Sequence, residues 1–228
     1  MPEIVDLTAP ITEHFDQRWR VDRKLVKAFE SGDLFQNTWM AAPVHSFTHL
    51  DAPLHVVPDG ISTEEVPLNR LVGHAAIVDL TPIAPKTAIT AERLEKAGQH
   101  VRKDDIVFLK TAWDEQQSLS TPEFWSEAPY MTRPACEWLL EREISTIGYD
   151  FPQDCPIRGM MHGKSAPIEE FVTHDMLLRN GVIMIEYLCN LGKLPGPRAF
   201  VAALPLKIPN SDGAHIRVVA LLDVPSPE

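Results

Sequence analysis

The sequence is poor in cysteine, and its few cysteines are far apart. They are Cys136, Cys155 and Cys189, and no two of them form a CxxC pair. Small disulfide-based folds need a much higher density of cysteine, usually in an oxidising compartment. This pattern therefore argues against a disulfide scaffold, and it predicts a protein of the reducing cytoplasm.

Basic clusters and long apolar runs are also missing. The formal net charge is −11 and no Lys/Arg-rich run is present, which argues against nucleic acid as a partner. No apolar stretch approaches the roughly 20 residues of a membrane-spanning helix. The opening MPEIVDLTAP lacks the basic and then apolar regions of a signal peptide. We expect a protein that acts on a small molecule, without nucleic-acid or membrane partners.

What the sequence does contain is proline, at 20 of 228 positions, mostly between apolar runs. Such spacing indicates many short elements joined by rigid turns. The length suits one α/β domain, and without a repeat or flexible linker we expect a single domain over residues 1–228. β-branched and apolar runs predict strands at 3–7, 75–81, 106–112, 145–150, 182–188, 199–206 and 216–223.

Helix signals lie between these strands. They predict one helix capped by Thr90 over 91–101, one opened by Thr121 and Pro122, one over 133–143, and one over 174–180 that Thr173 caps and Gly181 ends. Because helices and strands alternate through the middle and late chain, the predicted fold class is α/β with a mixed sheet.

One short segment is unusually rich in titratable side chains. His45, His49, Asp51 and His55 fall within VHSFTHLDAPLH. Imidazole and carboxylate are the ligands of zinc, and manganese also suits them. In an extended chain the four side chains share one face, but a four-residue step spans about 13 Å. A shared metal site therefore requires a turn near 46–48, and the alternative is a polar loop of satisfied side chains.

Two further residues are candidates for the same chemistry. Glu186 lies in VIMIEYL, which reads as a buried strand, so its carboxylate must be paired, protonated or bound to a cation. The alternatives are a strand-end residue that reaches solvent and a salt bridge to an arginine. His174 is expected to begin a helix, whose N-terminus would keep the ring neutral, as a metal requires. The alternative is an exposed first-turn histidine.

Taken together, these segments resemble the cyclase family, which includes bacterial kynurenine formamidase and isatin hydrolase. HSFTHLDAPLH resembles the family motif HxGTHxDxPxH. The other similar segments are DLTAPI (6–11), LVGHAAIVDLT (71–81), IGYDFPQD (147–154), THDMLLRNGVIMIEYLCNL (173–191) and ALPLKIPNSDGAHIRVVAL (203–221). The resemblance covers nearly the whole chain, in order.

The resemblance implies metal-dependent hydrolysis of an amide or lactam in a swivelling β/β/α fold, usually as a dimer. Carried over residue by residue, His45, His49 and Asp51 match the ligands of a first ion. Asp51, His174 and Glu186 match a second site that only two-metal members have, and His55 matches the catalytic histidine. We therefore expect one or two zinc or manganese ions and a homodimer or higher homo-oligomer.

The sequence departs from the family at two positions. Phe47 stands where the motif has glycine, although glycine would permit the required turn most easily. Phenylalanine must either keep ordinary backbone angles or adopt a costly one. QRWRVD (17–22) stands where formamidases resemble WPGD, so only Trp19 is retained. Trp19 and Phe47 are the candidate substrate-binding residues, as an aromatic wall for a flat substrate.

The predicted function is metal-dependent hydrolysis of a C–N bond, with His55 as general acid and base. Three alternatives remain. The first is a metal-dependent cyclase or dehydratase of secondary metabolism. The second is a catalytically silent metal-binding homologue. A cysteine hydrolase would pair Cys189 with His174, but Cys189 lies in an apolar run without an activating cation.

Overall fold

The computed structural model describes residues 3–160, 162–222 and 224–225. Within them the chain forms twelve strands: β1 Ile4–Asp6, β2 Asp22–Lys27, β3 Asn37–Ala41, β4 His49–Asp51, β5 Val72–Asp79, β6 Ala88–Ile89, β7 Ile106–Lys110, β8 Tyr130–Met131, β9 Thr146–Tyr149, β10 Ile183–Glu186, β11 Arg198–Pro205 and β12 Gly213–Leu221. Each of the seven predicted strand segments overlaps one of these strands, so those predictions are confirmed.

Eight strands form one mixed sheet in the order β1-β12-β11-β5-β7-β9-β10-β4. The central strands β5, β7, β9 and β10 run parallel to one another. The pairs β5–β11, β11–β12, β1–β12 and β10–β4 are antiparallel. The sheet closes on itself because β4 also pairs with β12, through Gly213 opposite Asp51. The predicted α/β fold with a mixed sheet is therefore confirmed, and its sheet is barrel-like.

The helices are short and pack on the outside of this sheet. They are α1 Ala91–Ala97, α2 Trp113–Gln116, α3 Pro122–Ser126, α4 Arg133–Glu141, α5 Ile157–Met160 and α6 Val172–Met176. Single 3₁₀ turns occupy Phe15–Gln17, Phe29–Ser31, Pro53–His55, Thr63–Glu65, Leu68–Arg70, Ile168–Glu170, Leu178–Asn180 and Leu191–Lys193. Among the residues described, none of these helices has the length and apolarity needed to cross a membrane.

Three of the predicted helix signals agree with the structure, and one is wrong in part. The Thr90 hydroxyl accepts a hydrogen bond from the Arg93 amide and caps α1, and Gly181 ends its segment with a φ of +83°. Thr173, however, lies inside α6 rather than at its cap. Its amide and hydroxyl both donate to the buried Asp154 carboxylate instead, at 2.9 and 2.7 Å. A tertiary acceptor has replaced the local cap.

The two faces of the sheet bury separate apolar clusters. On β5, Ala75 and Ile77 belong to the cluster enclosed by the sheet, whereas Ala76 and Val78 belong to the cluster under the helices. This alternation follows from the two-residue period of a strand. Leu50 of β4 joins the enclosed cluster, so its neighbours on β4 face the helices.

The hairpin of β2 and β3 is not part of the eight-stranded sheet. β2 and β3 pair with each other and form a separate two-stranded sheet. Every residue of β3 is exposed, and so are several large apolar side chains of the hairpin: Leu25, Val26, Phe29, Leu34, Phe35, Trp39 and Met40. This hairpin is therefore an exposed apolar surface.

Candidate metal centre

The histidine-rich segment makes the turn that its spacing requires. Residues 44–48 bend before β4 begins, and Phe47 has a φ of 52°. Phenylalanine has thus taken the costly left-handed conformation that glycine would adopt freely. The predicted turn is confirmed, and it brings the rings of His45 and His49 to 5.4 Å between centroids.

Strand register brings Glu186 to the same place. On β10, Glu186 lies opposite His49 of β4, and Met184 lies opposite Asp51. Opposite residues of paired strands present their side chains on the same face, and here that face is the one beneath the helices. Tyr187, directly after Glu186, also has a left-handed φ of 57°. Two aromatic residues in unfavourable backbone conformations therefore flank the candidate ligands.

Four buried side chains form what we call the inner group: His49, Asp51, His174 and Glu186. Their side chains are 1 to 12% exposed. His49 Nε2 lies 3.1 Å from an Asp51 oxygen and 3.7 Å from a Glu186 oxygen. His174 Nε2 lies 3.8 Å from the other Asp51 oxygen and 3.7 Å from the other Glu186 oxygen. The two imidazoles thus face the same pair of carboxylates.

Each member of the inner group except Asp51 is oriented by a buried partner. His49 Nδ1 donates to the Phe47 carbonyl at 2.9 Å, which leaves Nε2 directed at the carboxylates. His174 Nδ1 donates to Asp154 at 2.6 Å, with the same effect. The Gln153 side-chain amide donates to Glu186. Such outer partners fix the tautomer and orientation of metal ligands.

Three more side chains form the outer group: His45, His55 and Asp212. Their side chains are 26 to 43% exposed. His45 Nδ1 lies 2.7 Å from Asp51 and its Nε2 lies 2.8 Å from Asp212. His55 Nδ1 lies 3.3 Å from the same Asp212 oxygen, and the two imidazoles are 3.9 Å apart.

Charge is strongly coupled across the two groups. Burial alone would raise the pKa of Asp51, but His49 and His45 hold it well below its usual range. Burial likewise opposes charge on His45 and His174, yet the carboxylates beside each ring raise its pKa to about 9. The helix N-terminus was expected to keep His174 neutral, but in the metal-free site Asp154, Glu186 and Asp51 outweigh the short helix α6 and raise the pKa of the ring. The cluster is built to hold positive charge.

The donor set fits a divalent ion. Ligands held at 2.0–2.2 Å from a tetrahedral zinc are about 3.4 Å from one another. The nitrogen–oxygen separations of the inner group, 3.1 to 3.8 Å, span this value. Two compact triads share Asp51: His49, Asp51 and Glu186, and His45, Asp51 and His55. The structure therefore brings together all six predicted ligand and catalytic side chains.

These groups line a cavity of about 450 Å³. Trp19 also lines it, whereas Phe47 lies behind, with its ring 4.8 Å from that of Trp19 and only 1% of the residue exposed. Any effect of Phe47 on a substrate would therefore pass through Trp19. The wall also contains the apolar side chains Val56, Ile157, Met160 and Phe171. Cys189 does not line the cavity, and burial raises its pKa to about 12, so its thiolate is disfavoured.

Four residues of this site were not predicted from the sequence: Arg18, Gln153, Asp154 and Asp212. Gln153, Asp154 and Asp212 lie in segments that resemble the family, and Arg18 lies in QRWRVD, where the sequence departs from it. No spacing rule linked these four residues to the histidines. Their roles depend on contacts across 19 to 167 residues of sequence. Only the fold reveals such contacts.

Comparisons with known proteins agree on one family. A family model described as "Putative cyclase" matches residues 5–153. Kynurenine formamidase of Salinibacter ruber is 32% identical over 185 residues, which cover 80% of this chain and 78% of that protein. Isatin hydrolase of Roseibium aggregatum is 28% identical over 220 residues, covering 89% and 81%. A solved structure described as a potential metal-dependent hydrolase with cyclase activity superposes with a TM-score of 0.74 at 28% identity, covering 99% and 100%.

Proposed function

The chain belongs to the cyclase family, and from this premise we propose that it is a divalent-metal-dependent amidohydrolase. It would cleave a C–N amide or lactam bond of a small aromatic or cyclic substrate. The observation that carries this proposal is the inner group, in which two oriented imidazoles face two buried carboxylates at ligand-to-ligand distances. The names of the relatives, kynurenine formamidase and isatin hydrolase, support the class of bond.

We assign the metal ligands as the family resemblance implies. His45, His49 and Asp51 would hold a first zinc or manganese ion. Asp51, His174 and Glu186 would hold a second ion, if two are bound. The Asp51 carboxylate has one oxygen near each set, which suits a shared ligand.

The chain's own residues would bind, orient and move protons. A bound divalent ion supplies Lewis acidity to a carbonyl oxygen and lowers the pKa of water. His55 would take a proton from the attacking water and return it to the leaving nitrogen. Asp212 accepts from His55 Nδ1 and would keep Nε2 available for this transfer. Trp19 would lie along the flat face of the substrate.

The remaining features of the proposal concern assembly and location. The apolar side chains exposed on hairpin β2–β3 support a homodimer or higher homo-oligomer, which light scattering of the purified protein would test. The three cysteines are free thiols, in keeping with a reducing compartment such as the cytoplasm. We treat residues 1–228 as a single cyclase-like domain.

The decisive experiment combines elemental analysis with a panel of aryl formamides and lactams. We expect about one or two equivalents of zinc or manganese per chain, and hydrolysis that stops with a chelator and returns with the ion. Metal without turnover of any amide or lactam would favour the silent homologue. Turnover of another substrate without incorporation of water would favour a cyclase or dehydratase.

A further inference from the structure

Arg18 is a half-buried cation beside the candidate metal centre that the proposed chemistry does not use. It follows the turn Phe15–Gln17 and lines the same cavity as His49 and Glu186. Its guanidinium carbon lies 4.0 Å from the centroid of the Trp125 ring and 5.8 Å from that of Trp19. Stacking of this kind holds a guanidinium in one orientation. Arg18 is therefore fixed in the cavity wall.

The Arg18 side chain has no hydrogen-bond or ion-pair partner among the described residues. Its Nε is shielded from solvent and unpaired, and burial lowers its pKa. Arg198, also largely buried, instead makes two hydrogen bonds to Asp105, at 2.9 and 2.8 Å. A guanidinium N–H that is shielded from water and has no such partner is costly. The cost is understandable if a ligand provides the missing partner.

Glu186 does not meet this need, although its charge favours the charged form of Arg18. The two side chains form no ion pair within 4.0 Å, and the Glu186 oxygens are directed at Gln153, His49 and His174. Among the lining residues, the carboxylates of Asp51 and Glu186 would balance one divalent ion. Arg18 then leaves the cavity with an excess of positive charge, in a protein whose net charge is −11.

We propose that Arg18 binds a carboxylate carried by the substrate, so that the natural substrates are aromatic amides or lactams with an anionic group. This inference rests on the proposed function and narrows its substrate class. A guanidinium offers parallel donors that match a carboxylate. Trp19, which lines the cavity beside Arg18, would contact the aromatic ring that carries the carboxylate.

The test compares substrates that differ only in the carboxylate. The ortho, meta and para N-formylaminobenzoates are hydrolysed to formate and an aminobenzoate, with one water consumed, and formanilide is the neutral counterpart. In the metal-loaded wild type, we expect kcat/KM to favour at least one of the three anions over formanilide. In Arg18→Gln that preference should fall at least about tenfold, as expected for loss of a charge-assisted hydrogen bond. Arg18→Lys should retain part of it.

The matched control is Arg20→Gln. Arg20 is two residues away, exposed, and paired with Asp22 at the surface, so the substrate preference should not change. An unaltered preference in Arg18→Gln would overturn the proposal. An equal fall in kcat/KM for anionic and neutral substrates, together with loss of metal, would also overturn it. Arg18 would then act by stabilising Glu186 and the metal site rather than by binding the substrate. Thermal melting of each variant reports whether it is folded.

A binding experiment separates this inference from the proposed function. Benzoate and benzamide are titrated into metal-loaded wild type and Arg18→Gln, with tryptophan fluorescence as the signal. Coordination to the metal would be common to both proteins, so only the change in the benzoate-to-benzamide ratio reports on Arg18. A ratio that falls at least about tenfold supports the anion site even if no formamide is hydrolysed. An equal ratio in both proteins rejects it.

Discussion

The inner and outer groups of the candidate site contain the same side-chain types but are built differently. In the inner group, the Nδ1–H of His49 donates a hydrogen bond to the Phe47 carbonyl, and that of His174 donates to Asp154. The Nε2 atom of each ring is directed at carboxylates. In the outer group, both nitrogens of His45 already contact carboxylates. Its members are also more exposed, at 26 to 43% against 1 to 12%.

This difference separates binding from proton transfer. Ligands fixed by buried partners lose little freedom when an ion binds, which favours affinity. Side chains that contact one another at the edge of the cavity can exchange protons with solvent and substrate. The inner group is therefore suited to hold an ion, with His45 added from the outer group, and His55 and Asp212 are suited to proton transfer.

The largest effect should come from Asp51, the one carboxylate that touches both groups. In Asp51→Ala, elemental analysis should find less than about a tenth of the wild-type metal. The rate of hydrolysis should fall roughly 10³-fold, because several kcal/mol of transition-state stabilisation are lost. Asp51→Asn keeps the shape of the side chain without its charge, so its metal content and its rate should lie between those of Asp51→Ala and the wild type. Full metal content in Asp51→Ala would contradict the proposed ligand set.

The next effect tests whether a partner outside the ligand set controls affinity. Asp154→Asn should weaken metal binding about 10- to 100-fold, since His174 loses a charged acceptor and the one amide oxygen must serve both Thr173 and His174. Competition with a chelator of known affinity gives the dissociation constant. Asp175→Asn is the control, because Asp175 lies next to His174 in α6 but pairs with Arg133 and Arg179. Equal losses in both variants would mean that α6 has been disturbed as a whole.

The corresponding change in the outer group should act on turnover. In Asp212→Asn we expect kcat to fall about tenfold, because the acceptor that orients His55 for proton transfer loses its negative charge. The metal dissociation constant should change less than in Asp154→Asn, since Asp212 is 43% exposed and water can replace it. A larger change in metal affinity than in kcat would reverse the assignment of roles to the two groups.

The sequence predicted elements whose cause is local. Seven of the eight strands of the sheet were recognisable because each carries a run of apolar or β-branched residues, and α1 because Thr90 caps it. The strand β4 was not predicted, since its three residues include two of the candidate ligands. The turn before His49 followed from the reach of an extended chain. The hairpin β2–β3 was missed, since its mixed charged and apolar residues have no buried face to impose a pattern.

The side chains that orient the candidate ligands could not be predicted from such local patterns. Asp154, which follows β9, meets His174 of α6. Asp212, which precedes β12, meets His45 because β12 pairs with β4. No local period encodes such contacts. Thr173 illustrates the same limit, because its sequence position suited a cap while a carboxylate 19 residues away took its donors. Long-range acceptors decided these details.

The smallest effect concerns the turn that joins the two groups. Phe47 is buried, so Phe47→Ala and Phe47→Gly should each lose about 3–5 kcal/mol of stability with the ring. At a φ of 52°, however, alanine keeps the backbone strain and glycine removes it. Phe47→Gly should therefore be more stable than Phe47→Ala by about 1 kcal/mol, the reverse of the usual order.

Urea unfolding of the metal-free variants measures this difference, with a second buried phenylalanine as the reference. Phe124 lies in helix α3 with 1% exposure, and there alanine should be more stable than glycine by about 1 kcal/mol. Opposite signs at the two positions would demonstrate that the turn stores strain to bring His45 to His49. The same sign at both would mean that Phe47 keeps its conformation without strain, so that its ring packing against Trp19 alone explains its presence.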